Sequence, residues 1–245
     1  MFLHWLVQQG LLSTDQDTNI LTTYPLEVRR TMIQPLVQFH ASPMGATWCT
    51  QSYSVHHVRW TTEVLGAAFT LPIQDAPWSM EPVISVYSRW LVESSVRPLV
   101  IQQSDPNSDI KQRFLRDIIS HASLIFEPDR GSPLPLNSET LASRSFQAYV
   151  ECCRKVLKMY AMAGRLLSND MDSLTWQSLL GIVLGIADRL YTMKSSHPAF
   201  GLYRELSEDL MRTLCELWLR SGIHDPPLWS FLSDRFLLWR ARSDP

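Results

Sequence analysis

Apolar residues recur at steps of three and four along most of the chain from residue 25 onward, which is the period of an amphipathic α-helix. The pattern is clearest over residues 58–69, 80–91, 146–160 and 176–190. Prolines and short polar segments separate these stretches, as they do between successive helices. The chain is therefore predicted to be all-α, with about eight helices.

Local signals place several helix starts. Pro25 suits the first position of a helix, and the polar segment Asp105–Ser108 precedes another apolar period. Asp172 is predicted to cap a further helix through its side chain. By the same reasoning, Asp75 is predicted to cap a helix that contains Pro77.

The first 24 residues differ from the rest. Trp5-Leu6-Val7 and Ile20-Leu21 flank a polar stretch, which favours a short β-hairpin. We therefore predict an N-terminal extended segment over residues 1–24, followed by one helical domain over residues 25–245.

Two loops are predicted inside that domain. One contains Pro43 and Gly45. The other covers residues 127–137, which hold three prolines and a glycine, and it lies between two halves of the domain. The short connections favour antiparallel helices in a HEAT/armadillo-like stack, although no repeat of fixed length is visible.

Composition narrows the class of protein. Apolar residues make up 45% and charged residues 19%, as in folded globular chains, and a net charge of −2 gives no general attraction to nucleic acid. The N-terminus lacks the basic region of a signal peptide, and the apolar run Leu174–Ala187 is too short to span a membrane. The four cysteines have no metal or redox spacing, so we expect a cytoplasmic protein.

A search for chemistry is negative. His56 and His57 are adjacent and would point apart, so we interpret them as polar residues at a helix start rather than metal ligands. Cys152 and Cys153 lie mid-helix, which predicts one packed inside and the other at the flank. No G-x-S-x-G elbow and no phosphate-binding loop is present. The sequence therefore assigns no catalytic, cofactor-binding or metal-binding residue, and no cofactor.

Two further patterns have structural readings. Gly181 and Gly185 lie four apart on an apolar helix, which predicts the close approach of a neighbouring helix. Basic residues cluster modestly, and we interpret the clusters as solvated helix faces rather than a nucleic-acid surface. These clusters are Arg29-Arg30, then Arg154, Lys155, Lys158 and Arg165, then Arg235, Arg240 and Arg242.

The last predicted helix, from Pro226 to about Trp239, is apolar on most sides. Helical stacks need polar terminal units, so this end is expected to meet either a partner or a continuation of the chain. Trp229, Phe236 and Trp239 are the candidate contact residues, and packing within the chain is the alternative for each.

Seven short strings also share their order and spacing with a known family. They are Tyr24-Pro25-Leu26-Glu27-Val28, Val58-Arg59-Trp60-Thr61-Thr62-Glu63-Val64, Phe69-Thr70-Leu71-Pro72, Val86-Tyr87-Ser88-Arg89-Trp90, Ile125-Phe126-Glu127-Pro128, Leu174-Thr175-Trp176 and Pro226-Pro227-Leu228-Trp229. Together they resemble the N-terminal region of the beta subunit of the Ral GTPase-activating protein complex, whose members are several times longer.

The resemblance implies a non-catalytic regulatory or scaffold module that binds a catalytic alpha subunit and acts only indirectly on a Ral-type small GTPase. The alpha subunit would carry the GAP domain, related to that of tuberin, and its catalytic asparagine. One alternative is a helical adaptor unrelated to GTPases. Another is an enzyme whose site is assembled from distant residues such as His121, Asp117 and Cys153.

Overall fold

The computed structural model describes residues 24–49, 54–127, 144–193, 200–222 and 226–243. Within these ranges the chain forms ten α-helices and no strand. They are α1 Leu26–Ala41, α2 Pro43–Cys49, α3 Val55–Ala67, α4 Met80–Val92, α5 Leu99–Gln102, α6 Asp109–Ser123, α7 Arg144–Leu166, α8 Ser173–Thr192, α9 Phe200–Ser221 and α10 Pro226–Ser243. Short 3₁₀ turns lie at Ala68–Thr70, Ile73–Asp75, Ser94–Val96 and Leu124–Phe126.

The long helices form two rows. In the first row α1 packs on α4, α4 on α7 and α7 on α9. In the second row α3 packs on α6, α6 on α8 and α8 on α10, and contacts of α1 with α3 and of α8 with α9 join the rows. The predicted all-α helical array is confirmed. The HEAT/armadillo-like repeat type stays a prediction.

Three buried tyrosines connect the two rows. The hydroxyl of Tyr87 on α4 donates to the Thr62 carbonyl of α3 over 2.8 Å, and Tyr160 on α7 donates to the Ile119 carbonyl of α6 over 2.7 Å. Tyr149 on α7 donates to the Ile125 carbonyl. A buried phenol needs a hydrogen-bond partner, and these bonds use carbonyls of α3, of α6 and of the 3₁₀ turn that follows α6.

Helix starts that depend on local chemistry are confirmed. The Asp172 carboxylate accepts from the Thr175 backbone N–H over 2.7 Å, at the start of α8. The Ser108 hydroxyl accepts from the Lys111 N–H at the start of α6. Pro25, predicted at the first position of a helix, lies one residue before it, because α1 begins at Leu26.

The prediction for Asp75 is wrong. Helix α4 begins at Met80, so Pro77 precedes it, and Asp75 ends a 3₁₀ turn. Its carboxylate instead accepts from Arg30 Nε of α1 over 2.7 Å and from Trp78 Nε1 over 3.3 Å. A charge-assisted bond to α1 has replaced the local cap.

The predicted loop at Pro43 and Gly45 is also wrong, because both residues lie in α2. The Ser42 hydroxyl accepts from the Gly45 N–H over 3.1 Å, and proline is favourable at a first helical position. Two short helices, α2 and α5, were not predicted, so the described helices exceed the expected eight.

Two predictions fall wholly or mostly outside the described residues. The predicted hairpin falls almost entirely on residues 1–23, which are not described, and residues 128–137 of the predicted loop are likewise not described. The division into an N-terminal segment over residues 1–24 and a helical domain over residues 25–245 stays a prediction.

Candidate interaction surface

The adjacent histidines lie at the start of α3, as interpreted from the sequence. The Ser54 hydroxyl lies 3.0 Å from His57 Nδ1 and accepts from the His57 N–H, while His56 is exposed. The described part of the chain contains no group of three or more His, Cys, Asp or Glu residues that could hold a metal ion.

Both members of the cysteine pair are buried, so the expectation that one lies at the helix flank is wrong. Helix α7 carries them and packs on α4 at one side and on α9 at the other. Burial raises the pKa of the Cys152 thiol to about 11 and raises that of Cys153 as well. A thiolate is the reactive form of cysteine, so this pair is not an activated nucleophile.

The residues of the hypothetical enzyme site, His121, Asp117 and Cys153, do not line a common groove among those between the long helices. His121 of α6 faces Gly66 of α3 and has its Nδ1 atom 3.4 Å from the Tyr87 hydroxyl. Burial lowers the pKa of His121 to about 4 and raises that of Asp117 to about 6. None of the grooves between α4, α7 and α9, or beside α8, is lined by these two residues or by Cys153.

These pKa shifts predict an acid-sensitive fold. His40 and His121 have pKa values lowered by burial to about 4, so the stability of their neutral forms is lost as the pH falls from about 6.5 toward 4. Asp117 acts in the opposite sense, because its raised pKa favours the protonated form below about pH 6. With two groups against one, the melting temperature should fall between pH 6.5 and 4.5.

Asp117→Asn separates the two contributions. The variant should be at least as stable as the parent at pH 7 and should lose stability more steeply on acidification, because the opposing group is gone. Thermal unfolding followed by circular dichroism at several pH values measures this. A shallower pH dependence in the variant would contradict the assignment.

Gly181 and Gly185 do not contact a neighbouring helix in the described residues. A Cβ atom built at either position meets nothing within 4 Å. Both line an open groove of about 180 Å³ beside Ser123 and Phe126. The prediction of close helix packing at this motif is therefore wrong for this part of the chain.

The C-terminal helix is the best candidate for contact with another protein. Trp239 is buried, stacks on Tyr191 at 5.0 Å between ring centroids, and donates to the Asp188 carboxylate over 3.2 Å. Phe236 packs edge-on against Trp239 at 5.4 Å. Trp239 thus holds α10 on α8, and Phe236 is partly buried against the core, so two of the three candidate contact residues pack within the chain.

The third candidate, Trp229, packs edge-on against Trp218 of α9 at 5.5 Å but stays 42% exposed. Other large apolar side chains of α9 and α10 are exposed too, and the sequence already placed those of α10 on the apolar helix expected to meet a partner or a continuation of the chain. We define the C-terminal surface by these residues: Leu219 (79% exposed), Trp229 (42%), Phe231 (44%), Leu237 (65%) and Leu238 (36%). Large apolar side chains that are exposed in such number on two neighbouring elements are typical of interaction sites.

No helix within the described residues is long and apolar enough to cross a lipid bilayer.

Comparisons with known proteins point to one family. A family model described as RALGAPB N-terminal domain matches residues 145–244, which contain nearly all of α7 and the whole of α8, α9 and α10. The chain is also 26% identical, over 98% of its length, to Ral GTPase-activating protein subunit beta of Rattus norvegicus. The resemblance predicted from the sequence is confirmed.

Two further relatives are similar to all or part of the chain. The beta subunit of Homo sapiens is 26% identical over 98% of the chain. A Rap-GAP domain-containing protein of Dictyostelium discoideum is 30% identical over 46% of the chain and 7% of its own length. The chain spans 15% of the length of the two beta subunits. No solved structure matches the chain significantly.

Proposed function

We propose that this chain is a non-catalytic regulatory or scaffold module of a Ral-type small-GTPase-activating complex, in which it binds a catalytic alpha subunit. The supporting observation is its similarity over 98% of its length to Ral GTPase-activating protein subunit beta. The buried, high-pKa thiols and the structural surroundings of His121 and Asp117 agree with a module that acts by binding. GTP hydrolysis would be stimulated by the partner, and the location would be cytoplasmic, with no role for nucleic acid.

The C-terminal surface is the proposed contact with the alpha subunit. Association would remove Trp229, Phe231 and Leu237 from water, and apolar burial is the main favourable term in most protein association. Helix α10 is held in place by Trp239 and by the ion pair of Arg235 with Asp188 at 3.2 Å. The surface is therefore presented on an element that is already ordered.

The test mixes the chain with the matching alpha subunit, measures the mass of the complex by light scattering, and assays GTP hydrolysis by a Ral-type GTPase. Leu237→Glu should weaken association roughly tenfold or more, because a carboxylate would be buried without a partner. Met44→Glu is the matched control, since Met44 is 72% exposed on α2, outside the surface, and should bind as the parent does.

Each outcome decides between the two functions. Co-elution that depends on Leu237, with hydrolysis that depends on both subunits, supports the scaffold proposal. A chain that stays monomeric with the alpha subunit and leaves hydrolysis unchanged supports the alternative, a helical adaptor unrelated to GTPases.

A further inference from the structure

Helix α7 lies between two grooves that it forms with its neighbours in the first row. The groove between α7 and α9 has a volume of about 500 Å³, and the groove between α4 and α7 has about 360 Å³. Lys158 and Met162, one turn apart on α7, line both grooves. The two grooves therefore form one continuous surface, which we call the α7 surface.

The side chains of the α7 surface lie in stripes that follow the helix period. On α4 they are Glu81, Ile84, Ser85 and Ser88, and on α9 they are Asp209, Arg212, Thr213 and Glu216. On α7 they are Glu151, Arg154, Lys155, Leu157, Lys158, Met159, Ala161, Met162 and Arg165. Small and apolar side chains form the floor, and charged side chains form the walls.

Every carboxylate in these walls already has a basic partner. Arg154 bonds Asp209 at 3.3 Å and reaches Glu151 at 3.9 Å. Glu216 is held by Arg165, with one bond of 2.7 Å. The remaining carboxylate, that of Glu81, pairs with Lys155.

Lys158 is the exception among the bases. It is exposed, and no described residue forms an ion pair with its ammonium group, whereas Arg154, Lys155, Arg165 and Arg212 all pair with acids. The α7 surface thus presents one unpaired positive charge, the ammonium group of Lys158, one helical turn before Met162. A bound carboxylate would complete the pairing and leave the existing ion pairs intact.

We propose that the α7 surface binds an amphipathic helix of a partner protein, with a carboxylate of that helix against Lys158 and its apolar residues on Met162 and the groove floors. A helix satisfies its own backbone hydrogen bonds, which suits a site lined by side chains without an open sheet edge. Ser85 and Ser88 on α4 and Ala161 on α7 are small enough to allow close approach. This inference is independent of the proposed binding of an alpha subunit.

The charges argue against a nucleic acid or an anionic membrane at the same place. Glu81, Glu151, Asp209 and Glu216 are interleaved with the bases and would lie close to any row of phosphates. No aromatic side chain lines either groove, so there is no platform on which bases could stack. A single carboxylate flanked by apolar groups fits better than a polyanion.

The test selects binders from a displayed library of amphipathic helices about 18 residues long, roughly five turns. Selection is repeated against Lys158→Glu and against Arg204→Glu, which makes the same charge change at an exposed position of α9 outside both grooves. We expect Asp or Glu to be enriched at one helix position on the parent and on R204E, and this preference to disappear on K158E. Thermal unfolding of the parent and both variants checks that all three proteins are folded.

Affinity of the selected peptide then tests the contact directly. Fluorescence anisotropy should show a loss of roughly tenfold or more for K158E and no loss for R204E. Met162→Ser should also weaken binding but should leave its salt dependence unchanged, since it removes an apolar contact. An oligothymidylate and phosphatidylserine vesicles serve as the two polyanion probes.

Three results would overturn the proposal. The first is a library without enriched binders, and the second is an acidic preference that survives K158E. The third is binding of the oligonucleotide or the vesicles, but not of the acidic helix, in a manner that depends on Lys158.

Discussion

Gln112→Ala is expected to lower the free energy of unfolding by about 3–5 kcal/mol. Gln112 lies on α6 and is 1% exposed. Its side chain makes four hydrogen bonds. Its amide donates to the carbonyls of Pro106 and Asp170 over 2.7 and 2.6 Å. Its oxygen accepts from the Asp172 N–H over 3.1 Å and from the Thr175 hydroxyl over 2.8 Å.

The cost arises because one truncation removes a hydrogen bond from each of four partner groups. Thr175 is fully buried, and the turn that contains Asp170 and Asp172 leads into α8. A buried polar group that loses its partner costs about 1–3 kcal/mol. Gln112 thus connects the turn before α6 with the turn before α8, and its loss should loosen the second row of helices at that point.

Urea denaturation of the parent and the variant measures the effect. Gln177→Ala is the matched control, because Gln177 lies exposed on α8 and its only described bond is a 3.5 Å contact with Ser173. We expect the control to change stability by less than about 0.5 kcal/mol. Equal effects of the two substitutions would show that the Gln112 bonds are replaced by water.

The features that the sequence predicts are those with a local cause. The helix period depends on neighbouring turns of the same helix, and the caps of α6 and α8 join residues three apart. The seven residues of α2 are too few to show a period, and the four of α5 fewer still. These elements were therefore missed, although the fold class was predicted correctly.

Features that depend on distant residues could not be predicted. Asp75 is a residue type that often caps helices, but its carboxylate accepts a hydrogen bond from Arg30, which lies 45 positions away in the sequence. Gln112 would be assigned to a solvated helix face, because its partners at Asp170, Asp172 and Thr175 lie 58 to 63 positions away. Such residue pairs come together only when the helices pack into rows, so the sequence alone does not show them.

The same limit applies to the interaction surfaces. Helix α10 is apolar on nearly all sides, so its pattern does not distinguish the side that covers α8 from the exposed side. Phe236 and Trp239 were expected as contact residues and are instead packed within the chain. Likewise, the basic cluster around Lys158 is visible in the sequence, but its pairing is set by acids of α4 and α9.

Gly66→Ala should destabilise the fold by about 2 kcal/mol, although alanine is the better helix former. Helix α3 crosses α6 at Gly66, where an added Cβ would lie 2.5 Å from Cγ and 2.7 Å from Nδ1 of His121. The imidazole cannot shift freely, because its Nδ1 atom lies 3.4 Å from the hydroxyl of Tyr87, which itself bonds the Thr62 carbonyl. Relief of the overlap therefore requires the helices to separate or the ring to leave its site.

Gly185→Ala is the control with the opposite sign, since an added Cβ on α8 meets nothing within 4 Å and the substitution should stabilise by up to about 1 kcal/mol. Both variants are compared with the parent by urea denaturation. Titration of His121 by NMR adds a second readout: if the ring leaves its site in Gly66→Ala, its pKa should rise from about 4 toward the ordinary histidine value. Stabilisation by both alanines, with His121 unchanged, would mean that α3 and α6 cross less closely than the structure shows.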